Sequence, residues 1–145
     1  MKNNRKPIKR KQLQKKAESR LRAIKLNYDE ELYDEVVSDS GLVIEFALKS
    51  AVCKTLARDE YPEHISNYRT HDPNKLIKLS KLKDELEKEK ASNIDFFINW
   101  SLLSKWSIDF RYMPPGTHDE KSSADYIKAI ESEEGGVYPW IKKRW

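Results

Sequence analysis

A chain of 145 residues, 38% hydrophobic and 36% charged with only 4 Gly and 6 Pro, is enough for one compact domain carrying an appended arm. That charge load and scarcity of turn formers suit solvated helices better than a many-turned β fold, and no run reaches the roughly 18 to 20 apolar residues of a membrane span. The lone Cys53 allows neither an internal disulfide nor a multi-cysteine zinc site, and the basic start lacks the apolar segment of a secretory signal, so a reducing, cytoplasmic setting is expected.

The net charge of +4 hides two opposite parts. Residues 1–25 hold 11 Lys or Arg against the single acid Glu18, while the rest of the chain carries 17 basic and 23 acidic side chains. Residues 1–11 therefore read as a flexible basic arm and 12–145 as the helical domain. Arg5, Lys6, Lys9, Arg10 and Lys11 are its candidate nucleic-acid contacts, because phosphate neutralisation releases counterions. Docking on an acidic partner, or simple solvation, are the other readings of such an arm. No aromatic in MKNNRKPIKRK is present to stack on a base.

Along the chain, Met1 to Pro7 reads as a disordered tip. From Ile8, the residues Leu13, Ala17, Leu21 and Ile24 form one helical stripe. Asp29 is placed to cap a second helix running to about Leu56, with the stripe Val37, Gly41, Ile44, Leu48 and Val52, and Gly41 admits a close neighbour. Residues 59–70 read as a loop. Asp72 as N-cap and Pro73 at the first helical position start a third helix through Leu76, Leu79, Leu82 and Leu86, ending in the charged tract 81–90. Ser92 or Asn93 starts a fourth, which the apolar residues extend to Phe110. Those residues point nearly all round, which predicts a central helix or one with an interface face. Pro114-Pro115-Gly116 stops it. Thr117 and Glu120 have capping-box spacing for a fifth helix through Ala124, Ile127 and Ile130, interrupted by Gly135-Gly136. Val137 to Trp145 makes a basic end with two tryptophans. The expected fold is an all-α antiparallel bundle of about five helices.

Three blocks carry a family resemblance. The second helix reads Ser40-Gly41-Leu42-Val43-Ile44-Glu45-Phe46-Ala47-Leu48-Lys49, preceded by Arg20-Leu21. Next come Thr70-His71-Asp72-Pro73-Asn74-Lys75-Leu76, with Pro73 where the pattern has leucine, and then Trp106 with Arg111-Tyr112. In this order they resemble the HEPN domain family over roughly residues 15–130. The resemblance implies a small helical bundle, commonly dimeric, of bacterial defence and toxin–antitoxin systems. Many such proteins are metal-independent ribonucleases in which four to six residues separate an arginine from a histidine. Others bind nucleotides or hold complexes together.

Arg111 and His118, with six residues between them, match that spacing and are the candidate catalytic residues. Pro114-Pro115-Gly116 excludes a shared helix face. RNA cleavage needs a base for the 2′-hydroxyl, an acid for the leaving oxygen and positive charge at the phosphate. His118 on a first helical turn would supply the base, Arg111 would grip phosphate oxygens, and a dimer would bring two pairs together. Scattered histidines without helical ligand spacing give no metal site, and no cofactor is implied. His71 reads as structural, holding the loop beside its N-cap, and His64 as an unpartnered loop residue. Cys53 reads as a small core residue and the four tryptophans as core or interface anchors. Glu45 and Lys49 are an i, i+4 pair, and burial of Glu45 would demand a partner, with Arg20 and Arg111 as candidates. Two functions remain. One is a binding or dimerisation module beside a nucleotidyltransferase antitoxin or a defence subunit in an RNA-linked complex. The other is a metal-independent endoribonuclease using the Arg–His pair across a homodimer.

Overall fold

The computed structural model describes residues 6–145. Among these, seven α-helices form the fold: α1 (Arg10–Asp29), α2 (Tyr33–Thr55), α3 (Pro73–Leu79), α4 (Lys83–Ser92), α5 (Ile94–Leu103), α6 (Glu120–Glu131) and α7 (Val137–Lys142). Short 3-10 turns lie at Ser66–Tyr68 and Ile108–Tyr112. The described residues contain no strand, only one isolated bridge between Lys9 and Glu60. No helix among them is long and apolar enough to cross a membrane.

The helix α2 is the axis. Fourteen of its 23 residues are buried, including the whole expected stripe from Val37 to Val52, and it packs against α1, α3, α5, α6 and α7. So wide a buried face does not suit a surface helix. A three-residue turn folds α1 back along it, with Leu13, Ala17 and Ile24 buried between them. Asp29 does not cap α2: it ends α1, and Leu32 precedes α2.

Seven helices stand where about five were expected, for two local reasons. The apolar series Leu76 to Leu86 is broken at Lys81, whose φ of 59° takes the chain through the left-handed region without a glycine. The piece after Gly136 closes on its own as α7, burying Val137, Trp140 and Ile141. The fourth expected helix also stops early, at Leu103. Beyond it Trp106 leaves the helical path and lies on Gly41, where an added Cβ would come within 1.8 Å of the indole ring. Its Nε1–H donates to the Ser38 carbonyl at 3.2 Å. Gly41 thus serves the close approach that its place in the stripe predicts.

On α5 the apolar residues divide. Phe96, Trp100 and Leu103 are buried, whereas Ile94, Phe97 and Ile98 stay 69%, 43% and 57% exposed. Spaced i, i+3 and i+4, these three form one outer apolar face, with Lys90 Nζ 5.7 Å from the centre of the Phe97 ring.

Within the expected basic arm, residues 8–11 are held against the body. The Ile8 carbonyl accepts from Tyr61 N–H at 2.9 Å, Arg10 N–H donates to Asp59, and α1 starts at Arg10. Arg5 lies outside the described residues.

Candidate functional site

The two carboxylates Asp34 and Glu45 of α2 each fasten a loop, and the candidate site residues hang on those loops. Asp34 accepts from Gly116 N–H at 2.6 Å and from His118 N–H at 2.8 Å. These backbone donors, Gly116 first, hold its carboxyl below the ordinary value of 3.8. The Pro-Pro-Gly loop is thereby pinned to the start of α2.

This clasp moves the cap expected at Thr117. Asp119 is the N-cap of α6, accepting from Ser122 N–H at 2.8 Å, while Ser122 Oγ accepts from Asp119 N–H. Both Thr117-x-x-Glu120 and Asp119-x-x-Ser122 fit a capping box, and the Asp34 bond to His118 N–H favours the later start. His118 therefore precedes α6 instead of lying on its first turn. Its ring meets Tyr126 edge-on with centroids 6.1 Å apart. Nδ1 lies 3.2 Å from Ser122 Oγ, and Nε2 is buried without a partner.

Arg111 is on the exposed 3-10 turn, with its guanidinium 5.0 Å from the centre of the neighbouring Tyr112 ring. No hydrogen bond joins Arg111 to His118 among the described residues. Within one chain the pair is not assembled: one member is stacked on the surface and the other has its free nitrogen shut inside.

The second carboxylate makes a cluster that sequence reasoning assigned differently. Glu45 is buried amid apolar residues, as its position suggested, but neither expected arginine reaches it. Arg20 pairs with Asp39 at 3.6 Å, and Arg111 stacks on Tyr112. Lys49 Nζ lies 3.1 Å from one Glu45 oxygen, and His71 Nδ1 lies 2.7 Å from the other. Lys49 also sits 5.0 Å over the Tyr61 ring. Tyr61 donates its hydroxyl to the Tyr68 carbonyl at 2.6 Å, and burial pushes its pKa up. His71 thus has the loop-holding role expected of it, through a buried acid 26 residues away in sequence. The signals that could have linked them were an acid in an apolar stripe and a histidine beside an N-cap. The cap itself forms as expected, with Asp72 accepting from Asn74 N–H.

The remaining candidates separate. Arg10 does not face solvent with the other basic residues: its guanidinium donates to the main-chain oxygen of Trp145. Lys6, Lys9 and Lys11 are exposed. Cys53 is fully buried, and burial pushes its thiol up to about 11, far from a reactive thiolate. His64 is an exposed loop residue.

The family model described as the HEPN domain matches residues 11–142. The chain belongs to the HEPN family. The match covers nearly the whole chain, so α1 to α7 are together one HEPN domain, and Glu45, Lys49 and His71 are part of how its α2 and α3 are joined. No curated protein matches the chain, and no solved structure does.

Proposed function

We propose that this HEPN chain is a binding and dimerisation module of a cytoplasmic, RNA-linked defence or toxin–antitoxin complex. The observation that supports it most is the outer face of α5. Ile94, Phe97 and Ile98 project from a helix whose other side fills the core, an arrangement that removes little from stability and leaves apolar area for association. A second copy is the first partner, and a nucleotidyltransferase antitoxin or another defence subunit would meet the assembled dimer.

The unassembled Arg111 and His118 favour this reading over catalysis within one chain. The buried, unpartnered His118 Nε2 favours a second reading, in which the partner copy completes the pair and the dimer cuts RNA without metal.

Sedimentation at tens of micromolar tests the first reading. A dimer is expected for the natural chain, and a helical monomer for Phe97→Asp with Ile98→Asp. A natural chain that stays monomeric, with no partner subunit co-purifying, would contradict the proposal.

A further inference from the structure

The basic arm and an acidic, partly apolar tip lie at opposite ends of α1. At the tip, the α1–α2 connection is a Schellman turn: Leu32 N–H donates to the Asn27 carbonyl at 2.8 Å, and Glu31 N–H to that of Tyr28 at 3.0 Å. Glu31 takes the left-handed position, with φ 62°, where glycine is usual. Leu26 and Leu32 hold the positions whose side chains commonly close over such a turn, yet they stay 61% and 46% exposed. In the same turn the Tyr28 and Tyr33 ring centres are 5.7 Å apart.

Around this apolar turn stand Asp29, Glu30, Glu31, Glu35 and Glu120, all exposed. Tyr28 donates its hydroxyl to Glu120 at 3.5 Å, which brings the start of α6 into the patch. Burial, followed by the Glu120 and Glu31 carboxylates, pushes the Tyr33 hydroxyl above its ordinary value. Among the described residues no ion pair involves Asp29, Glu30, Glu31 or Glu35, whereas Lys25 and Lys121 are engaged by Glu131 and Asp125. A shallow cavity of about 470 Å³ opens here, lined by Tyr28, Asp119, Glu120, Lys121 and Ala124. A cation entering it meets the Tyr28 ring and the Glu120 carboxylate together.

The other end of α1 carries the opposite charge. No acid precedes Glu18, and Lys6, Lys9, Lys11, Lys15 and Lys16 are exposed. With no acid in its first turn, α1 leaves these cations crowded at the positive end of the helix dipole. The arm cannot reach the tip of its own chain. At 20 residues α1 is about 30 Å long, while Lys2 stands six residues before Ile8, at most about 20 Å of backbone. Ile8 is itself fixed beyond the start of α1 by its bond to Tyr61. The complement that each end lacks is therefore supplied by the opposite end of another copy. Two copies lying antiparallel satisfy both ends at once, and that exchange closes the assembly at two.

We propose that the tip at residues 26–35 is the docking surface for Lys2, Arg5 and Lys6 of a second copy of this chain, exchanged reciprocally. The inference rests on the dimer reading above and adds a salt-sensitive contact to the apolar one at α5.

The test is the dissociation constant of the dimer, from sedimentation equilibrium at about 50 mM and about 500 mM salt. Reversing the arm, by Lys2→Glu with Arg5→Glu and Lys6→Glu, should weaken the dimer about tenfold at the lower salt. Reversing the tip, by Asp29→Lys with Glu30→Lys and Glu31→Lys, should do the same. Both losses should shrink to within about twofold at the higher salt. An equimolar mixture of the two variants should associate like the natural chain, because each reversed arm then meets a reversed tip and each natural arm a natural tip. Circular dichroism should show unchanged helicity, since Lys6, Asp29, Glu30 and Glu31 are exposed. If only one variant loses affinity, or mixing restores nothing, the pairing of arm with tip is overturned. If neither variant nor salt changes the dissociation constant, the arm contact is overturned and the α5 dimer stands. A natural chain that is monomeric at both salt concentrations would overturn both.

Discussion

The start and the middle of α2 solve one problem, fastening a loop to a helix, with opposite chemistry. At the N-terminal end the half-exposed Asp34 accepts from two backbone amides, Gly116 and His118. Three helical turns on, Glu45 is only 4% exposed, paired with the Lys49 ammonium and in contact with the His71 ring. An acid near solvent that accepts backbone N–H bonds gains fixed geometry at little desolvation cost. An acid buried in the core loses its hydration and depends on a cationic neighbour to remain there. The first arrangement positions the Pro-Pro-Gly loop and Tyr112 at the surface. The second locks the long connection between α2 and α3.

The largest expected effect comes from breaking the buried clasp at Glu45. Glu45→Ala leaves Lys49 buried, with only the exposed Glu63 at 3.9 Å as a carboxylate partner. The cost should be about 3 to 5 kcal/mol in denaturant unfolding. Replacing Glu45 and Lys49 together by methionine should recover most of that loss, because no lone charge then remains inside. A double variant as unstable as Glu45→Ala would mean that the His71 contact, and not the neutralised pair, carries the stability.

Breaking the exposed end should cost less. Asp34→Ala removes two charge-assisted bonds at a half-exposed site, an effect on the order of 1 kcal/mol. Hydrogen exchange should accelerate at the Gly116 and His118 amides while the core amides of α2 stay protected. The smallest effect is the pH response of the same clasp. Its carboxyl is held below 3.8 in the folded chain, so its contribution is complete above the unfolded value and is lost only as pH falls through the lower, folded one. The Gly116 and His118 amide resonances should therefore stay fixed from neutrality down to about pH 4 and shift together below it. Movement between pH 5 and 7 would assign the loop's hold to another group.

What the sequence displayed was whatever its own neighbourhood decides. The stripe from Val37 to Val52 is periodic, so its buried face was legible, and Asp72 and Asn93 cap α3 and α5 through bonds to amides two and three residues on. The interruption at Lys81 has no glycine to announce it. The apolar series from Ile94 to Phe110 looks continuous, yet Trp106 buries its ring against Gly41, a long-range choice that ends α5 early. The α6 start illustrates the same limit. Two equally good local caps compete, and Asp34, distant in sequence, selects between them. The candidate site suffered most: Arg111 and His118 were visible as a spacing, but spacing says nothing of a stacked guanidinium or a buried Nε2.

The most direct measurement is incubation of the purified chain with labelled transfer RNA and messenger RNA in EDTA. A binding module leaves both RNAs intact while a stoichiometric complex forms. Cleavage in EDTA that leaves a 2′,3′-cyclic phosphate and is lost in both Arg111→Ala and His118→Ala would contradict it, and would place the assembled pair across the dimer.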